Sequence, residues 1–113
     1  MKWKIEFISV QAEDDFFLNL KRYPVQLSAA VYRSLERLED GNLPPKYIKA
    51  LQSGVFEIKT SFQFGEFRTL FFYQSNSTLV ITHGFIKKTE KTPKRQLEKA
   101  LNLRTLYLRS KQL

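Results

Sequence analysis

Residues 55–86 read VFEIKTSFQFGEFRTLFFYQSNSTLVITHGFI. In 55–62, Phe56, Ile58, Thr60 and Phe62 alternate with Val55, Glu57, Lys59 and Ser61, the period of two that a strand imposes on its side chains. Phe64-Gly65 makes a turn. In 66–74, Phe67, Thr69, Phe71 and Tyr73 alternate with Glu66, Arg68, Leu70, Phe72 and Gln74. Asn76 marks a second hairpin turn. Residues 78–86 are nearly continuous in apolar bulk, as expected at the middle of a sheet. Three strands joined by two short turns are antiparallel.

Helical patterns flank this block. Upstream, residues 3–8 alternate bulk and charge and predict a first strand. Residues 12–22 carry Asp14 and Asp15 early and Lys21 and Arg22 late, the order that suits a helix dipole. Pro24 opens a second helix, in which Leu27, Val31, Leu35 and Leu38 form one apolar stripe. Gly41 stands where a left-handed cap is expected, and Tyr47 to Leu51 is expected to form a short helical turn. Downstream, Thr92-Pro93 predicts the start of a final helix over 93–109. The order β-α-α-β-β-β-α gives an α+β class, with a small, mainly antiparallel sheet covered by helices on one face. At 113 residues the chain is expected to form one domain, 1–113.

Composition narrows the chemistry. Cys is absent and His83 is the single His. Thiol nucleophiles, disulfides and Cys- or multi-His metal sites are excluded, so no bound metal is expected. No glycine-rich phosphate loop is present. No apolar run approaches the roughly 20 residues of a bilayer helix, and Met1 to Glu6 lack a signal peptide's apolar centre, so a cytoplasmic location away from membranes is expected.

The net charge of +8 is unevenly spread. Residues 1–83 hold ten basic and nine acidic side chains, whereas 84–113 hold nine basic and two acidic ones. A concentrated basic surface suits a polyphosphate partner, although it also suits a merely solvated helix face. On the sheet, turning Phe56, Ile58, Phe62, Phe67, Phe71 and Tyr73 toward the helices forces Lys59 and Arg68 onto the other face. Side by side these like charges repel. A bound phosphate would offset the repulsion, or Glu57 and Glu66 would neutralise it locally. Lys87, Lys88 and Lys91 gather where the last strand meets the last helix, a plausible anion site. His83, within an apolar strand, reads more readily as a buried, hydrogen-bonded imidazole than as a base. Tyr73 reads more readily as packing than as a catalytic phenol.

Three segments together carry a resemblance: Leu51 to Lys59, Phe67 to Tyr73, and His83-Gly84-Phe85-Ile86-Lys87-Lys88-Thr89-Glu90-Lys91-Thr92-Pro93. The chain resembles the phage-derived Gp49-like family, which contains HigB-like toxins of the RelE/ParE superfamily. The resemblance implies a RelE-like fold and the toxin of a type II toxin–antitoxin system: a ribosome-dependent mRNA endoribonuclease, or mRNA interferase, that needs no cofactor. Its implied partners are a cognate helix-turn-helix antitoxin, the ribosome and mRNA, with operator DNA reached only through the antitoxin complex. Cleavage would proceed by attack of the ribose 2′-OH on the adjacent phosphorus.

Arg68 matches the family's strand arginine and is assigned to the scissile phosphate, which a guanidinium can grip through two oxygens. Lys59 stands where the family more often has arginine. Lys87 and Lys88, interchangeable at this stage, would hold the backbone or move a proton, and a lysine acts as base only if burial or cationic neighbours depress its pKa. Lys91, Lys94 and Arg95 would contact RNA, while Tyr73 and His83 are the remaining candidates for proton transfer. The reading requires Arg68 and the lysines to open into one concavity, and expects Arg68→Ala to remove toxicity without unfolding the protein. Two alternatives remain: a ParE-like toxin acting on DNA gyrase without cutting RNA, and a non-catalytic nucleic-acid-binding module.

Overall fold

The computed structural model describes residues 2–63, 65–88 and 91–111. Its elements run β1 (Lys4–Phe7), α1 (Val10–Leu20), α2 (Val25–Glu39), β2 (Ile48–Ala50), β3 (Val55–Phe62), β4 (Gly65–Tyr73), β5 (Thr78–Lys87) and α3 (Lys94–Lys111). The sheet order is β1-β5-β4-β3-β2. Only the β1–β5 pair is parallel; the other three are antiparallel. The α+β class is therefore observed, and the expected elements appear in order with one further strand, β2, between α2 and β3. Phe64, of the expected Phe64–Gly65 turn, and Thr89 and Glu90, of the quoted motif, lie outside the described residues.

The helix boundaries follow local chemistry. Ser9 caps α1, its hydroxyl accepting from the Ala12 amide at 3.0 Å. Gly41 closes α2 with φ of 74°, the left-handed geometry its place suggested. The apolar stripes of α1 and α2 bury Phe16, Leu20, Leu27, Val31 and Leu38 against Ile58, Phe67, Phe71, Leu79 and Ile81. Ring pairing orders this core: Phe16 meets Phe67 edge-on at 5.5 Å. Gly84 lies under these two rings, and a Cβ there would come within 2.5 Å of Phe67 and 2.8 Å of Phe16. The glycine is a packing requirement.

Two details differ from expectation. The stretch after Pro44 is not a helical turn alone: a 3₁₀ turn at Pro45–Tyr47 leads into β2, which extends the sheet beyond β3. And α3 does not join the other helices. Ala100, Leu97 and Leu101 pack with Val55, Leu70 and Phe85, residues that alternate away from the α1–α2 layer. The sheet is thus covered in part on its second face as well, because Val55, Leu70 and Phe85 carry too much apolar surface to leave in water.

A buried charge network and a basic rim as the candidate functional site

The β3–β4 register sets Lys59 directly opposite Arg68, on the one face that alternation required of both. The neighbouring rungs set Lys49 opposite Glu57 and Glu66 opposite Lys87. Four strands thus contribute to one row of charge on the face shared with α3. Glu57 is fully buried, Lys87 is 4% exposed and Arg68 is 6% exposed.

Arg68 is not an open prong, so the requirement that it open into one concavity with the lysines is not met in this structure. Its Nη1 donates to Glu57 Oε1 at 2.5 Å, and its Nη2 donates to Glu66 Oε1. Local neutralisation by Glu57 and Glu66, one of the two alternatives the sequence left, is the state observed. The physical reason is burial: a guanidinium out of water needs counter-charge and hydrogen-bond acceptors at once. The two carboxylates differ. The second oxygen of Glu57 accepts from the Thr92 hydroxyl, so Glu57 is tied to both the sheet and the approach to α3. Glu66 is about one-third exposed, shared with Lys59 at 4.0 Å, and reached by the Ser61 hydroxyl at 3.4 Å. The Nε of Arg68 is buried without a hydrogen-bond partner among the described residues.

The two lysines at the end of β5 are distinct. Lys87 points into the network, and its pKa is pushed below the usual lysine value, first by burial and then by the Arg68 charge. The Glu57 and Glu66 carboxylates act in the opposite direction. Lys88 is exposed just past the strand. Lys91 is exposed ahead of α3, and Lys94 and Arg95 stand exposed in its first turn. Lys94 pairs with Glu98 at 3.8 Å. The Thr92–Glu57 bond brings this segment to the network, so the rim and the buried charges share one end of the sheet.

The remaining candidates lie elsewhere. Tyr73 sits on the opposite face, against Trp3, Phe56 and Phe71, and burial raises its pKa. His83 shares the Lys87 face but is a buried, hydrogen-bonded imidazole. Its Nδ1 meets the Thr82 hydroxyl at 3.0 Å and its Nε2 meets the Gln96 side chain at 2.9 Å. Burial lowers its pKa to about 4, so it is neutral at pH 7.

Three members of the network stand outside the site residues expected from the sequence. Glu57 was seen only as a neutraliser; a carboxylate alternating with Val55 and Lys59 in mid-strand, opposite a strand arginine, was its signal. Thr92 was expected to cap α3, yet its hydroxyl serves Glu57. Lys49 was hidden in the stretch expected to be helical.

With this geometry established, comparison with known proteins is informative. Residues 19–105 match the family model described as phage derived protein Gp49-like (DUF891). The chain is also 29% identical over 108 residues to the probable endoribonuclease HigB1 of Mycobacterium tuberculosis, in strains CDC 1551 and H37Rv alike, spanning 96% of this chain and 86% of that relative. The family match covers all of the charged row from Lys49 to Lys87 and the basic rim beyond it. The chain belongs to the family of phage-derived Gp49-like proteins.

Proposed function

We propose that this protein is the toxin of a type II toxin–antitoxin system, acting as a metal-independent, ribosome-dependent mRNA endoribonuclease that blocks translation. A single observation carries the reading. Lys87, its pKa lowered by burial and by the Arg68 charge, lies buried beside the guanidinium of Arg68 in a chain similar over nearly its whole length to a probable endoribonuclease.

Glu57 holds Arg68 by one nitrogen while Glu66, at the solvent edge, occupies the other. An incoming phosphodiester exchanges with Glu66 at Nη2, and the freed carboxylate remains with Lys59. Arg68 and Lys59 then carry the charge that develops on the phosphate oxygens. The 2′-hydroxyl gives its proton to water as its oxygen bonds to phosphorus, the bond to the 5′-oxygen breaks, and Lys87 supplies the proton to that leaving oxygen and is reprotonated from solvent. The products are a 2′,3′-cyclic phosphate and a 5′-hydroxyl. Lys88, Lys91, Lys94 and Arg95 hold the RNA and ribosomal backbone, and a cognate helix-turn-helix antitoxin covers this surface in the resting complex.

Primer extension on translated and untranslated copies of one transcript tests the reading. Discrete cuts confined to the translated copy support it. Uncut RNA with inhibited gyrase would identify a ParE-like toxin instead.

A further inference from the structure

Strand β5 is paired on one side over only part of its length. β1 meets Thr78 to Ile81, and the following residues have β4 as their sole strand neighbour among those described. At this open edge α1 and α3 stand apart, leaving a cleft of about 500 Å³. That volume lies within the range of small-molecule sites, roughly 300–1,000 Å³.

The lining of the cleft mixes apolar and charged side chains. Leu18 and Leu103 are among the apolar ones, and Arg22 and Lys99 among the charged ones. Asp15 also lines it, its Oδ1 accepting from Gln11 at 2.8 Å. Arg22 and Lys99 are exposed and have no ion pair among the described residues. The edge is not prepared for an added strand, because Asn19 already donates to the Gly84 carbonyl at 3.3 Å.

The cleft and the charged row share strand β5. His83, in its wall, lies four residues along β5 from Lys87 on the same face, about 13 Å away. Arg95 and Lys99 are spaced to share one face of α3, so cations run from the rim toward the cleft. We propose that the cleft is a nucleotide subsite, holding one ribonucleotide of the RNA a few positions from the scissile bond. Its phosphate lies between Arg22 and Lys99 and its base lies against Leu18 and Leu103. This rests on the RNA-cleaving reading and adds to it a second point of substrate recognition.

The test is an NMR titration of the full chain with each ribonucleoside 5′-monophosphate, with orthophosphate as the control. The expected result is movement of the Gly84 amide and His83 ring signals, saturating with a dissociation constant on the order of 1 mM. Binding should weaken about tenfold in the Arg22→Ala/Lys99→Ala variant, whose exposed positions leave the core intact. Unmoved cleft signals, equal affinity in the variant, equal binding of orthophosphate, or movement only with an antitoxin peptide would each overturn the proposal. Cleavage is scored separately. A chain that cuts no RNA while its cleft signals still move defeats the nuclease reading alone. A chain that cuts RNA with its cleft signals unmoved defeats the subsite alone.

Discussion

Glu57 and Arg68 form an ion pair across adjacent strands at 2.5 Å, with the carboxylate wholly out of solvent and the guanidinium nearly so. Removing either partner strands the other in a low-dielectric site. Glu57→Ala and Arg68→Ala are each expected to cost about 3–5 kcal/mol of stability, measured by urea unfolding. The double replacement Glu57→Leu/Arg68→Met should recover most of that loss while remaining inactive. The sequence-based expectation that Arg68→Ala leaves folding untouched is corrected by this burial. A loss under about 1 kcal/mol in both single variants would show that the pair is solvated in solution.

Glu66 competes with the proposed substrate for Arg68. In Glu66→Gln the competing charge disappears, while a side chain one-third exposed contributes less than about 1 kcal/mol to folding. RNA binding should tighten several-fold and become more sensitive to salt, since one more cation faces phosphate. Fluorescence anisotropy at two ionic strengths measures both. Weaker binding would mean that Glu66 positions Arg68 instead of guarding it.

His83 makes the fold acid-sensitive. Its folded pKa of about 4 lies below the ordinary 6.5. Between those values the unfolded chain binds the proton and the folded chain does not. Its contribution is complete above pH 6.5 and is lost as pH falls toward 4, at about 1.4 kcal/mol per pH unit. Denaturation midpoints across this window should fall with pH in the parent chain and change less in His83→Gln. Parallel pH profiles for the two chains would contradict the assignment.

Gly84 is held by sterics, with no room for a Cβ under Phe67 and Phe16. Gly84→Ala should destabilise the protein by about 1–3 kcal/mol through displaced rings. A thermal melt checks this, and an unchanged midpoint would show that the rings have space to move.

The strands were the legible part of the fold because their alternation is strict. The residues expected in 55–62 are those of β3, and the Lys59–Arg68 adjacency followed from the turn between β3 and β4. Three features escaped for physical reasons. β2 is only three residues long, too short to show a period. The register shift between Leu70 and Phe71 leaves one extra residue, Thr82, between their partners His83 and Ile81, and a single inserted residue inside a long strand gives no turn signal in the sequence. The second-face position of α3 was signalled by Val55, Leu70 and Phe72, apolar residues among the charges of the supposedly open face. In the site, positions were legible but states were not. Periodicity put Arg68 and Lys59 on one face, yet whether a guanidinium meets carboxylate or solvent depends on how deeply α3 and the segment before it cover the sheet.

The most direct test of the central claim is primer extension on a translated mRNA after inducing the parent chain or Lys87→Met. The parent should produce discrete cuts, and the variant, folded by circular dichroism, should lose them by about 100-fold or more, as when a proton donor is removed. Equal cutting by the variant, or no cutting by the parent, would contradict the proposed role of the Arg68–Lys87 site.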